Sequence, residues 1–211
     1  MKIRKNILLV DDDASVRESL ANLLQAHDIN HQEFCSGREF LNALDTLALN
    51  DGGYCILMDV RMPRMTGLEV QEHLKRRSCF VPMVFITAHG DIRMAVNAIK
   101  MGAFDFVTKP FDTCSLLGVI EGAIAQDLKA RREQSREQTI VNGYQCLTPR
   151  EKVLLELVLD GKLNKQISAE LNISEVTVKV HRHNLMKKLG ERSWAKIAVA
   201  INGLKKGLPR Q

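Results

Sequence analysis

The sequence predicts an α/β protein: a doubly wound five-stranded parallel-sheet domain, followed by an all-α four-helix domain that contains a helix-turn-helix. Three observations lead there. Apolar runs alternate with amphipathic helical patterns five times before residue 125, and parallel strands need such crossover connections. From residue 147 onward the pattern carries helix starts and stops but no strand signal. The charge divides at the same place. Residues 1–125 hold 13 Lys and Arg against 16 Asp and Glu, a net −3, while residues 126–211 hold 17 against 9, a net +8. A basic second part points to a polyanionic partner.

Each element has a local reason. The predicted strands are Asn6–Val10, Tyr54–Met58, Met83–Ile86 and Phe104–Val107, with a weaker one at Asn30–Phe34. Nearly continuous apolar strands such as Met83–Ile86 fit a sheet covered on both faces. Between them lie helical patterns at Ala14–Ala26, Gly37–Ala48, Thr66–Arg77, Ile92–Met101 and Thr113–Ala130. Gln126–Gln145 is charged, Gln-rich and poor in large apolar residues, so it reads as a solvated helix running into a linker. Thr148 at N-cap, Pro149 at N1 and Glu151 at N3 make a capping box, and Asp160-Gly161 ends that helix. Lys165–Leu171 is a short helix, Asn172–Ser174 a tight turn, and Ser174 caps the helix Glu175–Leu189. The expected domains are 1–125, a helical linker at 126–145, and 146–211.

Composition narrows the class. A chain of 211 residues suits two domains. Its longest apolar runs are too short or interrupted to span a bilayer, and no apolar signal core follows the basic N-terminus. No membrane partner and a cytoplasmic location are therefore expected. The five cysteines are scattered and never form CxxC. No disulfide framework or zinc site is expected, and the thiols read as mostly buried small hydrophobes.

In a doubly wound sheet, ligands bind at the C-terminal ends of the strands. There the sequence puts Asp11, Asp12 and Asp13 after the first strand, Asp59 after the third, Thr87 after the fourth, and Thr108-Lys109-Pro110 after the fifth. Close carboxylates repel, and a divalent cation relieves the repulsion. Magnesium suits a few carboxylates, waters and a phosphate oxygen. One carboxylate can then act as nucleophile toward a phosphoryl group, with the lysine offsetting charge on that group.

The segments LVDDD, MDVRMPRMTG, TAHGD and GAFDFVTKPF, in order and at the right spacings over residues 5–125, resemble the receiver domain of response regulators, most closely the FixJ branch. The resemblance implies that Asp59 is the phosphate acceptor. It implies Mg²⁺ held by Asp12, Asp59 and the backbone carbonyl of Arg61, with Asp11 acting mainly through a bound water. Thr87 and Lys109 would contact the phosphoryl oxygens, and Phe106 would be an aromatic switch that follows Thr87. Read from residues alone, Phe106 is core packing. Asp13 reads as a helix N-cap, and Lys109-Pro110 is expected to be cis. Arg61 and His89 sit at the pocket mouth, where they would tune phosphate loss; His89 reads either as a general base or as a solvated loop residue.

In NKQISAELNISEVTVKVHRHNLMKKL, Ile167, Leu171, Ile173, Val176 and Val180 follow the burial spacing of a helical hairpin. The second helix of such a motif fits the major groove of duplex DNA. It would expose Thr177, Lys179, Arg182, His183 and Lys187. Residues 147–201 resemble the NarL/LuxR-type effector domain. That resemblance implies base-edge contacts from Lys179, Val180 and His183, and phosphate contacts from Lys165, Thr177 and Arg182. Trp194 reads equally as dimer surface and as core.

The function implied is transcription regulation, in the activating direction, controlled by a sensor histidine kinase. RNA polymerase is an expected partner, and a homodimer is expected on phosphorylation through a face formed by Ile92–Met101, the fifth strand and the start of the last receiver helix. An enzyme that turns over phosphate at Asp59 is the rival; it would need a general acid near Asp59, and Val60-Arg61 supplies none. A phosphorylation-independent or RNA-binding module is the second rival. The intact acidic set speaks against the first form, and the deep, narrow major groove of RNA against the second.

Overall fold

In the computed structural model, which describes residues 4–47, 49, 52–88 and 92–207, five strands form one parallel sheet. They are β1 (Lys5–Val10), β2 (Asn30–Phe34), β3 (Gly53–Asp59), β4 (Met83–Thr87) and β5 (Asp105–Thr108), hydrogen-bonded in the order β2-β1-β3-β4-β5. The crossovers are α1 (Ala14–Ala26), α2 (Gly37–Leu44), α3 (Gly67–Arg76) and α4 (Ile92–Lys100), and α5 (Thr113–Gln145) follows β5. Alternate residues of one strand go to opposite faces. Leu8 and Val10 pack with Phe40, Val70 and Leu74 of α2 and α3. Ile7 and Leu9 pack with Leu24 of α1 and with Leu116 and Ile120 of α5. Both faces are thus covered, which is why β1, β3 and β4 are apolar almost throughout.

Local chemistry sets the helix starts. Asp13 caps α1, its carboxylate accepting from the N–H groups of Ser15 and Val16; the bond from the Ser15 hydroxyl, and then those two, hold its pKa below the ordinary aspartate range. Thr66 and Glu69 form a capping box at α3. The helix predicted to Ala48 ends at Leu44, with Asp45 as its C-cap; Ala48 lies outside the described residues. The Lys109–Pro110 peptide is cis, as expected.

The chain divides into two units, Met1–Ala130 and Arg131–Gln211. The second contains the end of α5 together with α6 (Pro149–Leu159), α7 (Asn164–Leu171), α8 (Glu175–Leu189) and α9 (Trp194–Gly207). Its core gathers Leu154, Leu155, Ile167, Val178, Leu185, Leu189, Ile197 and Ile201. The predicted capping box of Thr148 and Glu151 is present at α6, with Pro149 in its first turn. Residues 126–145 are the later part of α5. Arg132–Thr139 is exposed along its length, but Ile140 is buried in the second unit's core. Gly143 explains the close approach there, since a Cβ would meet the Lys188 carbonyl at 2.5 Å.

Two burial expectations are corrected. Val178, not Val176 or Val180, is the core valine of α8; Val176 is 70% exposed and Val180 53%. All five cysteines are free, but only Cys55 is buried, while Cys35, Cys114 and Cys146 are exposed. Those three lie in a strand-to-helix loop, at an exposed helix start and after a helix end, where no apolar layer covers them.

Candidate functional site

The first site lies where the strand order reverses between β1 and β3, the place at which such sheets leave a crevice. Asp11 follows β1 and Asp59 ends β3. Both are buried, at 3% and 8% exposure. Register brings Thr87 opposite Thr108 at the ends of β4 and β5, so Lys109 emerges beside them. The Lys109 Nζ stands 2.9 Å from Asp11 Oδ2 and 3.4 Å from Asp59 Oδ1. The Arg61 N–H donates to Asp59 Oδ2 (2.7 Å), and the Asp13 N–H donates to Asp11 Oδ1 (2.9 Å).

Burial and then the Asp11 carboxylate push the Asp59 carboxyl above the ordinary aspartate range, against the pull of Lys109 and the Arg61 N–H. The pocket therefore holds more buried negative charge than its lysine offsets. Asp12 adjoins it but is exposed, and Arg61 is exposed. Among the described residues no three Asp, Glu, His or Cys side chains stand grouped as a ready metal cage. The donor chemistry nevertheless fits a hard divalent cation: carboxylates in mutual repulsion, next to a backbone turn. His89 lies outside the described residues.

Thr87 is 1% exposed. Phe106 is half-buried, packs at the edge of the sheet core and lies 6.3 Å from Phe85, ring centre to ring centre. Three supporting residues are not among those singled out from the sequence. Arg17 donates to the Asp11 carbonyl (2.8 Å) from one helical turn along α1. Gly67 backs Asp59 so closely that a Cβ would strike the Asp59 carbonyl. Gln71 of α3, itself buried, donates to the Ala98 carbonyl of α4 (3.1 Å). The glycine in MTG was a legible signal of close approach; the two cross-element bonds had none.

The second site is α8 with its neighbours. Asn172 adopts the left-handed conformation and ends α7, and the Ser174 hydroxyl accepts from the Thr177 N–H to start α8. Val178, Arg182, Leu185 and Leu189 recur at helical spacing on one face, on which the valine and both leucines are buried. Val176, Val180, His183 and Lys187 recur on the opposite face, and all are exposed, as is Lys179 at its flank. Lys165 on α7 is exposed, and Thr177 is half-buried with its hydroxyl 2.8 Å from that of Ser174. Arg182 corrects an expectation: it is half-buried, donates to Asn164 Oδ1 (3.0 Å) and covers the Trp194 ring at 5.3 Å. Trp194 packs against the core of the second unit. The exposed face of α8 carries two valines, a histidine and a lysine, with a second lysine beside it. That combination can meet phosphates and the apolar and polar edges of bases.

Comparison with known proteins is consistent across sequence and structure. Residues 7–121 match the response regulator receiver domain family, and residues 145–201 match the bacterial regulatory proteins of the luxR family. The chain is 45% identical over 183 residues to the response regulator protein TodT of Pseudomonas putida, covering 87% of this chain and 79% of that one. It is 36% identical over 197 residues to the transcriptional regulatory protein FixJ of Bradyrhizobium diazoefficiens, covering 93% and 94%. Among solved structures it is similar to the response regulator StyR, with a TM-score of 0.74, 40% identity, and coverage of 95% of this chain and 99% of that one.

Proposed function

The chain belongs to the response regulators of two-component systems, and from that premise we propose that a sensor histidine kinase phosphorylates Asp59 and thereby controls its binding to double-stranded DNA. Its class is that of the DNA-binding transcriptional regulators. The observation that carries the proposal is Asp59 itself: a buried carboxylate at a strand end, destabilised by burial and by Asp11, with Lys109 3.4 Å away. A charged nucleophile held in that way gains from accepting a phosphoryl group whose oxygens reach the lysine.

In the proposed step an Asp59 carboxylate oxygen forms a bond to phosphorus as the bond from phosphorus to the kinase's histidine nitrogen breaks. Lys109 offsets the phosphoryl charge, and the Thr87 hydroxyl donates to a phosphoryl oxygen. The Arg61 N–H holds Asp59 through Oδ2, and Oδ1, 3.4 Å from the Lys109 Nζ, is the oxygen turned toward the lysine. Asp11, Asp12, Asp59 and the Arg61 carbonyl would hold Mg²⁺, which when bound supplies a positive centre for phosphoryl oxygens. Beyond this self-phosphorylation and slow loss of phosphate the chain is not an enzyme.

Downstream, Thr87 moves toward the phosphoryl group and Phe106 follows it. The α4 face, with Ile92 82%, Val96 46% and Ile99 44% exposed, then pairs two copies into a homodimer. Two α8 helices meet half-sites about one DNA turn apart, or a multiple of it. Lys179, Val180 and His183 face bases, while Lys165 and Thr177 hold phosphates. The bound dimer activates transcription through RNA polymerase, in the cytoplasm. No helix of the described residues is long and apolar enough to cross a membrane. We assign residues 1–125 to the receiver, 126–145 to a helical linker and 146–211 to the DNA-binding domain.

The test is intact mass after incubation with acetyl phosphate and Mg²⁺. The native chain should gain one phosphate and the Asp59→Asn variant none; a phosphate on that variant overturns the assignment.

A further inference from the structure

Arg182 stands on the core-facing stripe of α8, in line with Val178, Leu185 and Leu189, while Val176, Val180, His183 and Lys187 occupy the opposite face. A lysine or arginine that meets DNA phosphate belongs on the outer face. Arg182 turns inward instead: its Nη1 donates to Asn164 Oδ1 at 3.0 Å, and its guanidinium lies 5.3 Å from the centre of the Trp194 ring. Both partners are neutral, so its charge remains while its geometry is fixed. Asn164 opens α7 and Trp194 opens α9. A single planar group therefore ties the middle of α8 to the first residues of its two neighbours. Arginine suits this because one face of its plane covers an aromatic ring while its edge donates.

We propose that Arg182 is a positioning residue that sets how α8 is presented to DNA, and that it makes no phosphate contact. The inference rests on α8 being the element that meets DNA. Its chemistry separates two roles that a basic residue in a recognition helix can play. A phosphate contact adds to the salt dependence of binding, because it releases a counterion. A clamp does not, because its loss changes geometry and not the number of neutralised phosphates.

The experiment uses the full chain and a mixed-sequence DNA duplex, with affinity measured against salt concentration. Trp194 is the only tryptophan, so quenching of its emission by acrylamide reads the clamp directly. In Arg182→Gln, quenching should rise and the salt slope should stay at the native value. In Lys165→Gln, which removes a proposed phosphate contact, the slope should fall by about 0.9 while quenching is unchanged. Asn164→Ala keeps every charge, and it should raise quenching and weaken binding by at most about fivefold, the limit set by one intramolecular hydrogen bond. A slope lowered by about 0.9 in Arg182→Gln, or unchanged quenching in both clamp variants, overturns the proposal. So does native affinity in Asn164→Ala. An unchanged slope in Lys165→Gln would count against α7 and α8 as the DNA-facing elements, and the quenching arms would still decide whether the clamp exists.

Discussion

Replacing Lys109 by Met leaves two buried carboxylates without the cation between them. In the native chain Nζ lies 2.9 Å from Asp11 and 3.4 Å from Asp59, whose side chains are 4% and 10% exposed. Removing one partner of a buried ion pair costs about 3–5 kcal/mol. Two features place this case near the lower end. Each carboxylate keeps one backbone donor, Asp13 N–H for Asp11 and Arg61 N–H for Asp59, and the lysine side chain is 19% exposed, so water can enter its place. A loss of about 3 kcal/mol is expected in the first unit, without Mg²⁺. Lys109 lowers the Asp59 pKa in the native chain, so the variant's Asp59 rises further. The folded variant then takes up a proton that the unfolded chain does not, and its deficit shrinks as pH falls toward the carboxylate range. Adding Asp59→Asn to the variant should recover most of the loss, because one of the two opposed charges is gone. The assay is hydrogen exchange of peptides from β1 and β3 through a urea series in EDTA, since the only tryptophan lies in the second unit. Mg²⁺ added back should also narrow the deficit. A loss under about 0.5 kcal/mol, the range of ordinary surface substitutions, would refute the electrostatic account of the pocket. So would a double variant no more stable than the single.

In the second unit, Glu151 has its carboxyl pulled to about 2 by the Lys188 ammonium and the Thr148 N–H, from an ordinary 4.5. That stabilisation is complete above the unfolded value and disappears as pH falls toward 2, which Trp194 emission in an acid titration should follow. Thr148→Ala should cost about 1 kcal/mol and lower the second unit's midpoint by about 4–8 °C; a shift under a degree would show that the capping box contributes nothing. A fragment beginning at Arg131 should be more stable than one beginning at Leu147 by about 2 kcal/mol, the worth of buried Ile140, and equal urea midpoints would contradict that packing. Beryllofluoride with Mg²⁺ should convert the native chain to dimers in sedimentation, and Val96→Arg should prevent it; a form that stays monomeric at tens of micromolar, a weak association by any measure, would reject the α4 route.

What the sequence determined by itself is what depends on neighbours along the chain. β1, β3 and β4 were legible because both of their faces are covered, which leaves Met83–Ile86 apolar throughout. Thr148 and Ser174 announced helix starts because a cap is made by residues three positions away. Asp11, Asp59, Thr87 and Lys109 could be set at strand ends because a parallel sheet aligns those ends. What only the tertiary structure decided is what depends on elements distant in sequence. Arg182 looked like an outward base because it is charged, yet a neutral amide on α7 and an indole on α9 give it an inward place. Val176 and Val180 looked like core because they are apolar, and they face outward because Val178 and Leu185 already fill the stripe that meets the core. The stretch before Cys146 looked like linker because most of it is solvated; Asp127 and Ile140 are buried there, Asp127 accepting from the Tyr54 N–H of β3 and Ile140 joining a core whose other members run from Leu147 to Ile201. A side chain's type sets what its contacts are worth, whereas the packing of distant segments sets which contacts it can make.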